Sequence, residues 1–134
     1  MNKRVGLWLD LNKAVIVSIT DGGEERKRFT SDMENYVRYS INVPGDGSPE
    51  DARDRRFWAH LGEYYEKVVA NIRDARAIRI FGPGEAKFEI KKRLTLAGLV
   101  DHIVIMDEIG VLTDREIALK VREWFPSRSQ YDLN

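Results

Sequence analysis

Apolar and polar positions first alternate with period two. Val5, Leu7 and Leu9 interleave with Gly6, Trp8 and Asp10, which predicts a strand, and Asp10-Leu11-Asn12-Lys13 offers a turn. Ala14 to Thr20 is a β-branched apolar strand, and Asp21-Gly22-Gly23 then supplies a hairpin turn, because glycine reaches positive φ without steric cost. The next segment, Glu24 to Phe29, is so heavily charged that it belongs at a sheet edge, where charge discourages strand-to-strand association. From 31 to 48 no period is sustained, and the stretch ends in Val43-Pro44-Gly45-Asp46-Gly47-Ser48. A long connection is predicted there, of the kind that in compact domains is commonly functional or mobile.

The period then changes to that of a helix. Ser48-Pro49-Glu50-Asp51 has a capping hydroxyl, a proline at the first helical position and acids that complement the positive end of the helix dipole. Trp58, Leu61, Tyr65, Val68 and Ile72 follow at steps of three and four, one apolar stripe on a helix reaching about Arg73. A short strand, Ala77 to Phe81, leads through Gly82-Pro83-Gly84 into a helix with Ala86, Ile90, Leu94 and Ala97 on one face, ended by Gly98. His102 to Met106 is a nearly continuous apolar run, the signature of a strand covered on both faces. Thr113-Asp114-Arg115-Glu116 is a capping box, Ile117, Val121 and Phe125 line the helix it opens, and Pro126 stops that helix. The predicted order is βββαβαβα. Three meandering strands followed by two crossovers give an α/β fold, a mixed five-stranded sheet ordered 3-2-1-4-5 with helices on both faces. One domain over 1–126 is expected, with 127–134 as a polar tail.

Composition removes function classes more readily than it adds them. The 134 residues include no cysteine and two histidines, which excludes thiol nucleophiles, disulfide scaffolds and thiolate metal sites and argues against a histidine-rich centre. His60 and His102 each read as a single packed or surface histidine. No run approaches the roughly 18 apolar residues of a membrane span, and the N-terminus lacks a signal-peptide pattern, so cytoplasmic residence is expected by elimination. Basic and acidic residues balance at 22 each. Nucleic-acid binding would therefore have to use a local patch rather than bulk charge.

Three local chemistries merit weighing. The Gly82-Pro83-Gly84 turn followed by Lys87 resembles a phosphate cradle, but its spacing is neither that of a P-loop nor that of a dinucleotide fingerprint, and Glu85 would repel an anion. An architectural strand-to-helix turn is the preferred reading. The strand order is also that of ribonuclease H-like enzymes, so Asp10 with Glu63 or Glu66 and Asp107 or Asp114 form a candidate two-metal nuclease set. The end of the fourth strand offers Phe81-Gly82 instead of a carboxylate, and Asp10 reads better as a turn residue. Finally, Arg53, Arg55 and Arg56 with Lys87, Lys91, Lys92 and Arg93 are candidates for a basic surface, though Asp51, Asp54, Glu85 and Glu89 are interleaved with them. Tyr36 and Tyr39 in the long connection are available to stack on bases. Trp58, on the apolar stripe, is expected in the core.

Residues 78–94, IRIFGPGEAKFEIKKRL, resemble the strand–GPG–Lys–helix segment in the middle domain of archaeal and eukaryotic peptide-chain release factors and of the ribosome-rescue factor Pelota. Arg55-Arg56-Phe57 leading into a long helix with Tyr64-Tyr65 is similar to that domain and to its stand-alone bacterial relatives, and the likeness runs from about Val5 to Phe125. The resemblance implies the translation-machinery-component fold, which is the ribonuclease H-like topology derived above. Where the family carries Gly-Gly-Gln, this chain has Gly45-Asp46-Gly47-Ser48, without the glutamine that promotes water attack on the peptidyl-tRNA ester. The implied role is a translation-related, ribosome- or RNA-associated domain without catalytic residues, contacting ribosomal or transfer RNA through the 45–56 region, Lys87 and Lys91, with no cofactor and no metal. The alternatives are the metal-dependent nuclease and a protein-interaction or homodimerisation module using the Glu24–Phe29 edge.

Overall fold

The computed structural model describes residues 3–32, 50–99 and 102–126, without the side chains of 50–54 and 103–105. The strands are β1 (Arg4–Leu9), β2 (Lys13–Thr20), β3 (Gly23–Thr30), β4 (Ala77–Gly82) and β5 (Ile103–Glu108). The helices are α1 (Glu50–Ile72), α2 (Ala86–Leu96) and α3 (Asp114–Trp124). The sheet order is β3-β2-β1-β4-β5, as the sequence pattern predicts. β1 pairs antiparallel with β2 (Arg4 opposite Ile19, Leu9 opposite Ala14) and parallel with β4 (Arg4 opposite Ala77, Trp8 opposite Phe81). β5 lies parallel to β4, with an irregularity in register between Ile78 and Arg79.

Strand alternation separates two cores. On one face Val5, Leu7, Leu9, Ala14, Ile16, Ile78 and Ile80 pack with Leu61, Tyr65, Val68 and Ile72 of α1 and with Ala86, Ile90 and Leu94 of α2. On the other face Trp8, Val15, Val17, Ile19 and Phe81 pack with Ile117, Ala118 and Val121 of α3. Gly6 is what lets α3 lie so close to β1, since a Cβ at that position would overlap the Val121 side chain. The capping box opens α3 as the sequence predicts: Thr113 Oγ1 accepts from the Glu116 N–H at 3.1 Å, and Glu116 Oε1 accepts from the Thr113 N–H at 3.0 Å.

β3 is an edge strand and its charges are spent locally. Arg122 of α3 forks onto Glu24, with Nε at 2.6 Å from Oε1 and the second nitrogen at 3.0 Å from Oε2. Asp114 pairs with Arg28 at 3.2 Å and with Lys13 at 3.5 Å. One expectation fails here: Trp58 is 65% exposed, outside the core in which Leu61, Tyr65, Val68, Ile80, Ile90, Leu94 and Ile117 are buried. Val104, also expected in the core, has its side chain outside the described residues, as does the 127–134 tail.

Candidate functional site at the carboxyl end of the sheet

Parallel strands fed by helices bring the starts of all three helices to one end of the sheet, the end where β1, β4 and β5 finish. There the β1–β2 turn is tied down by its own residues. Asp10 Oδ1 accepts from the N–H groups of Asn12 and Lys13, each at 2.8 Å, which makes Asp10 the turn-forming residue that the sequence suggests. The Tyr64 hydroxyl of α1 donates to the Asp10 carbonyl at 3.0 Å. Burial, with the Asp10 carboxylate and Tyr65 adding to it, pushes the Tyr64 phenol well above its ordinary range, so it remains a donor.

The exit of β3 is fastened to the same place. Ser31 donates its N–H to the Asn12 carbonyl at 2.9 Å and its hydroxyl to the Leu11 carbonyl. His60 Nε2 lies 2.7 Å from the Ser31 carbonyl, a contact that joins α1 to the point where β3 ends. Neither Ser31 nor His60 stands out in the sequence, because their meeting depends on strand register and helix position rather than on any local pattern. His102, the second histidine, is likewise a single packed group, with Nδ1 at 2.7 Å from the Ala75 carbonyl.

The second wall is the Gly82-Pro83-Gly84 turn. Gly82 has φ of +143° and a Cβ there would overlap the Leu9 carbonyl, while Gly84 has φ of +70°. Glu108, the last residue of β5, accepts the Gly84 N–H at 3.1 Å through Oε1 and the Lys87 ammonium through Oε2, and Lys87 also donates to the Gly84 carbonyl. The sequence places Lys87 among the surface cations, but its side chain is only 3% exposed and is turned to the neighbouring strand. Spacing carries the signal for this, since 87, 90 and 94 share the inner face of α2 with Ala86.

Arg55 and Arg56 are exposed on the first turns of α1, and Lys91 is exposed on α2. Arg53 lies in the same turns of α1, with its side chain outside those described, and Gly45, Asp46 and Gly47 are outside the described residues. The structure brings Asp10 together with Gly82-Pro83-Gly84, leaves Glu63 exposed on α1, and gives Glu66, Asp107 and Asp114 separate partners. Glu66 pairs with Arg93, Asp107 with Arg79 at 3.0 Å, and Asp114 with Lys13 and Arg28. Among the described residues no group of three or more His, Asp or Glu is placed to hold a metal ion, and no helix is long and apolar enough to cross a membrane.

Between the two walls lies a crevice of about 360 Å³, lined by Asp10, Leu11 and Asn12 on one side and by Pro83 to Ala86 on the other. No local sequence pattern marks its lining, which comes from two loops far apart in the chain. The chain leaves β1 toward β2 and later lays β4 against the opposite edge of β1, so the two loops diverge.

No protein-family model and no curated protein matches the chain. Solved structures do. The Pelota protein of Thermoplasma acidophilum superposes with a TM-score of 0.54 and 15% identity over 98% of this chain and 34% of its own. Pelota of Archaeoglobus fulgidus gives 0.53 and 12% over the same shares, 98% and 34%. An archaeal translation termination factor, aRF1, gives 0.48 and 15% over 98% of this chain and 40% of its own. The chain thus spans about a third of the length of the two Pelota structures, and it shares the fold of that part of them, in keeping with the resemblance carried by residues 78–94.

Proposed function

We propose that this protein is a translation-related domain that contacts ribosomal or transfer RNA through the carboxyl end of its sheet and supplies no catalytic group of its own. The observation that carries the reading is the exposure of Arg55 and Arg56 on the first turns of α1, at the end of the sheet where the helices begin. Guanidinium groups fork onto phosphate oxygens, and a helix start holds them at fixed spacing. Arg53 belongs to the same turns, and Lys91 extends the basic groups along α2. Lys87 acts indirectly, by holding the Gly-Pro-Gly turn to β5. Gly45-Asp46-Gly47 leads into α1 at the position of the family's Gly-Gly-Gln, and without the glutamine it contributes contact rather than hydrolysis.

Co-sedimentation with purified ribosomes across a salt series tests the reading. Binding that rests on phosphates releases counterions, so its logarithm falls linearly with the logarithm of salt concentration. Absence of co-sedimentation at low salt, or binding indifferent to salt, overturns it. Hydrolysis of peptidyl-tRNA by the unmodified protein overturns the non-catalytic part.

A further inference from the structure

We infer that the crevice between the β1–β2 turn and the Gly-Pro-Gly turn is a pocket for one unstacked nucleobase, guanine before the others. The inference rests on the RNA-facing reading only for the source of the base, since the pocket is defined by its own chemistry. At about 360 Å³ it lies within the range of small-ligand pockets, roughly 300–1,000 Å³. Its apolar lining comes from Leu11, Pro83 and Ala86, and Leu11 leaves half of its surface exposed on a turn. A large aliphatic side chain left open beside a proline ring is a surface on which a flat heterocycle can lie.

The polar lining decides what kind of heterocycle. Asp10 and Glu85 contribute carboxylates, Asn12 an amide with both donor and acceptor, and among the described residues no cation lines the crevice. A phosphate is repelled there and belongs instead at Arg55 and Arg56. Carboxylates only accept hydrogen bonds, so the pocket favours a ring edge rich in donors. Guanine presents a ring N–H beside an exocyclic amino group, two parallel donors for one carboxylate. Uracil presents one N–H flanked by two carbonyl oxygens, which the same carboxylate repels. Splayed single-stranded bases are the part of an RNA that proteins read by stacking and edge hydrogen bonds.

The walls are held before any ligand arrives. Asp10 is fixed by the Asn12 and Lys13 N–H groups and by the Tyr64 hydroxyl, and the opposite turn by Glu108 and Lys87. Glu85, by contrast, caps α2 without a side-chain hydrogen bond to it and is exposed, so its carboxylate can be changed without loosening the fold.

The test is an amide-resolved NMR titration of the whole protein with guanosine and, in parallel, with uridine. Saturable shifts confined to Leu11, Asn12, Gly84, Glu85 and Ala86 are expected with guanosine only, and Glu85→Gln should weaken the binding about tenfold, the loss of one charge-assisted pair. Absence of saturable shifts, equal response to both nucleosides, or unchanged affinity in the variant would each overturn the pocket. Because no ribosome is present, the outcomes separate. Guanosine binding without ribosome co-sedimentation leaves the pocket standing and removes the translation reading, whereas ribosome binding without guanosine shifts does the reverse.

Discussion

Lys87 and Glu108 form an ion pair across two environments: the lysine side chain is 3% exposed and the glutamate 69%. An ammonium that far from water needs a counter-charge held close. Here the counter-charge also accepts the Gly84 N–H, while the ammonium donates to the Gly84 carbonyl, so one pair grips both sides of the turn that forms a crevice wall.

The pair predicts an acid-sensitive turn. The hydrogen bond from Lys87, followed by that from the Gly84 N–H, holds the Glu108 carboxyl below its ordinary 4.5. A folded-state value below the unfolded one contributes stability that is complete above about pH 4.5 and is lost as pH falls through the lower folded value. Glu108→Gln should lower the melting temperature at neutral pH and flatten the acid limb of a melting-temperature-against-pH curve. Replacing both partners with apolar residues, Lys87→Met with Glu108→Leu, should recover most of the loss, because no buried charge is then left alone. A double variant no more stable than Glu108→Gln would contradict this account.

Gly82→Ala is expected to cost more than Gly6→Ala. At Gly82 the new Cβ meets the Leu9 backbone carbonyl and the residue is held at φ of +143°, so neither the obstacle nor the conformation can yield. Strain of that kind costs roughly 1–3 kcal/mol before the overlap is counted. At Gly6 no positive φ adds strain and the obstacle is the buried Val121 side chain rather than backbone, so about 1–3 kcal/mol of overpacking is the expectation. Urea unfolding of the two variants gives the ranking directly.

Trp58 should fluoresce as a solvated indole. It is 65% exposed, with Phe57 packed edge-on at 5.2 Å, whereas Trp8 is fully buried and donates its N–H to the Gly110 carbonyl at 3.1 Å. Replacing Trp58 by Ser should remove most of the quencher-accessible emission, with the partly buried Trp124 supplying the rest, and change stability by no more than about 0.5 kcal/mol, as for surface positions generally. A loss of several kcal/mol would restore Trp58 to the core.

Trp58 also shows where the sequence stops being legible. Positions 58, 61, 65, 68 and 72 share one stripe, and four of the five are buried. Periodicity reports which side of a helix faces inward, but it does not report how far along the helix the core extends. The first turns of α1 run past the last strand residues that could cover Trp58, and Phe57, one position away, is the ring that packs on the core. Strand order was readable because alternation in β1 and β4 and the charge of β3 each constrain it. The Ser31–His60 contact, the Lys87–Glu108 pair and the crevice were not, since each joins residues from elements far apart in the chain. Only Lys87 left a local trace, a cation at an inward-facing position of α2.

The salt dependence of RNA binding should locate the contacting face. If Arg55 and Arg56 each neutralise one phosphate, each replacement by Ala removes about one counterion, and the slope of log affinity against log salt falls by ~0.7–0.9 per arginine. The effect should be uniform across RNA sequences, because a phosphate contact positions without reading the base. Arg73 provides the control. It follows α1 at the opposite end, beside Asn71, whose carbonyl accepts from Lys3 near the start of β1 at 3.2 Å, and it too is exposed. Arg73→Ala subtracts the same charge from the protein as Arg55→Ala does, so a change caused by net charge alone would appear in both variants. The expected outcome is an unchanged slope for Arg73→Ala, a shallower one for Arg55→Ala and Arg56→Ala, and the shallowest for the two together with Arg53→Ala. Equal slopes in all of these variants would move the RNA-binding surface away from the carboxyl end of the sheet.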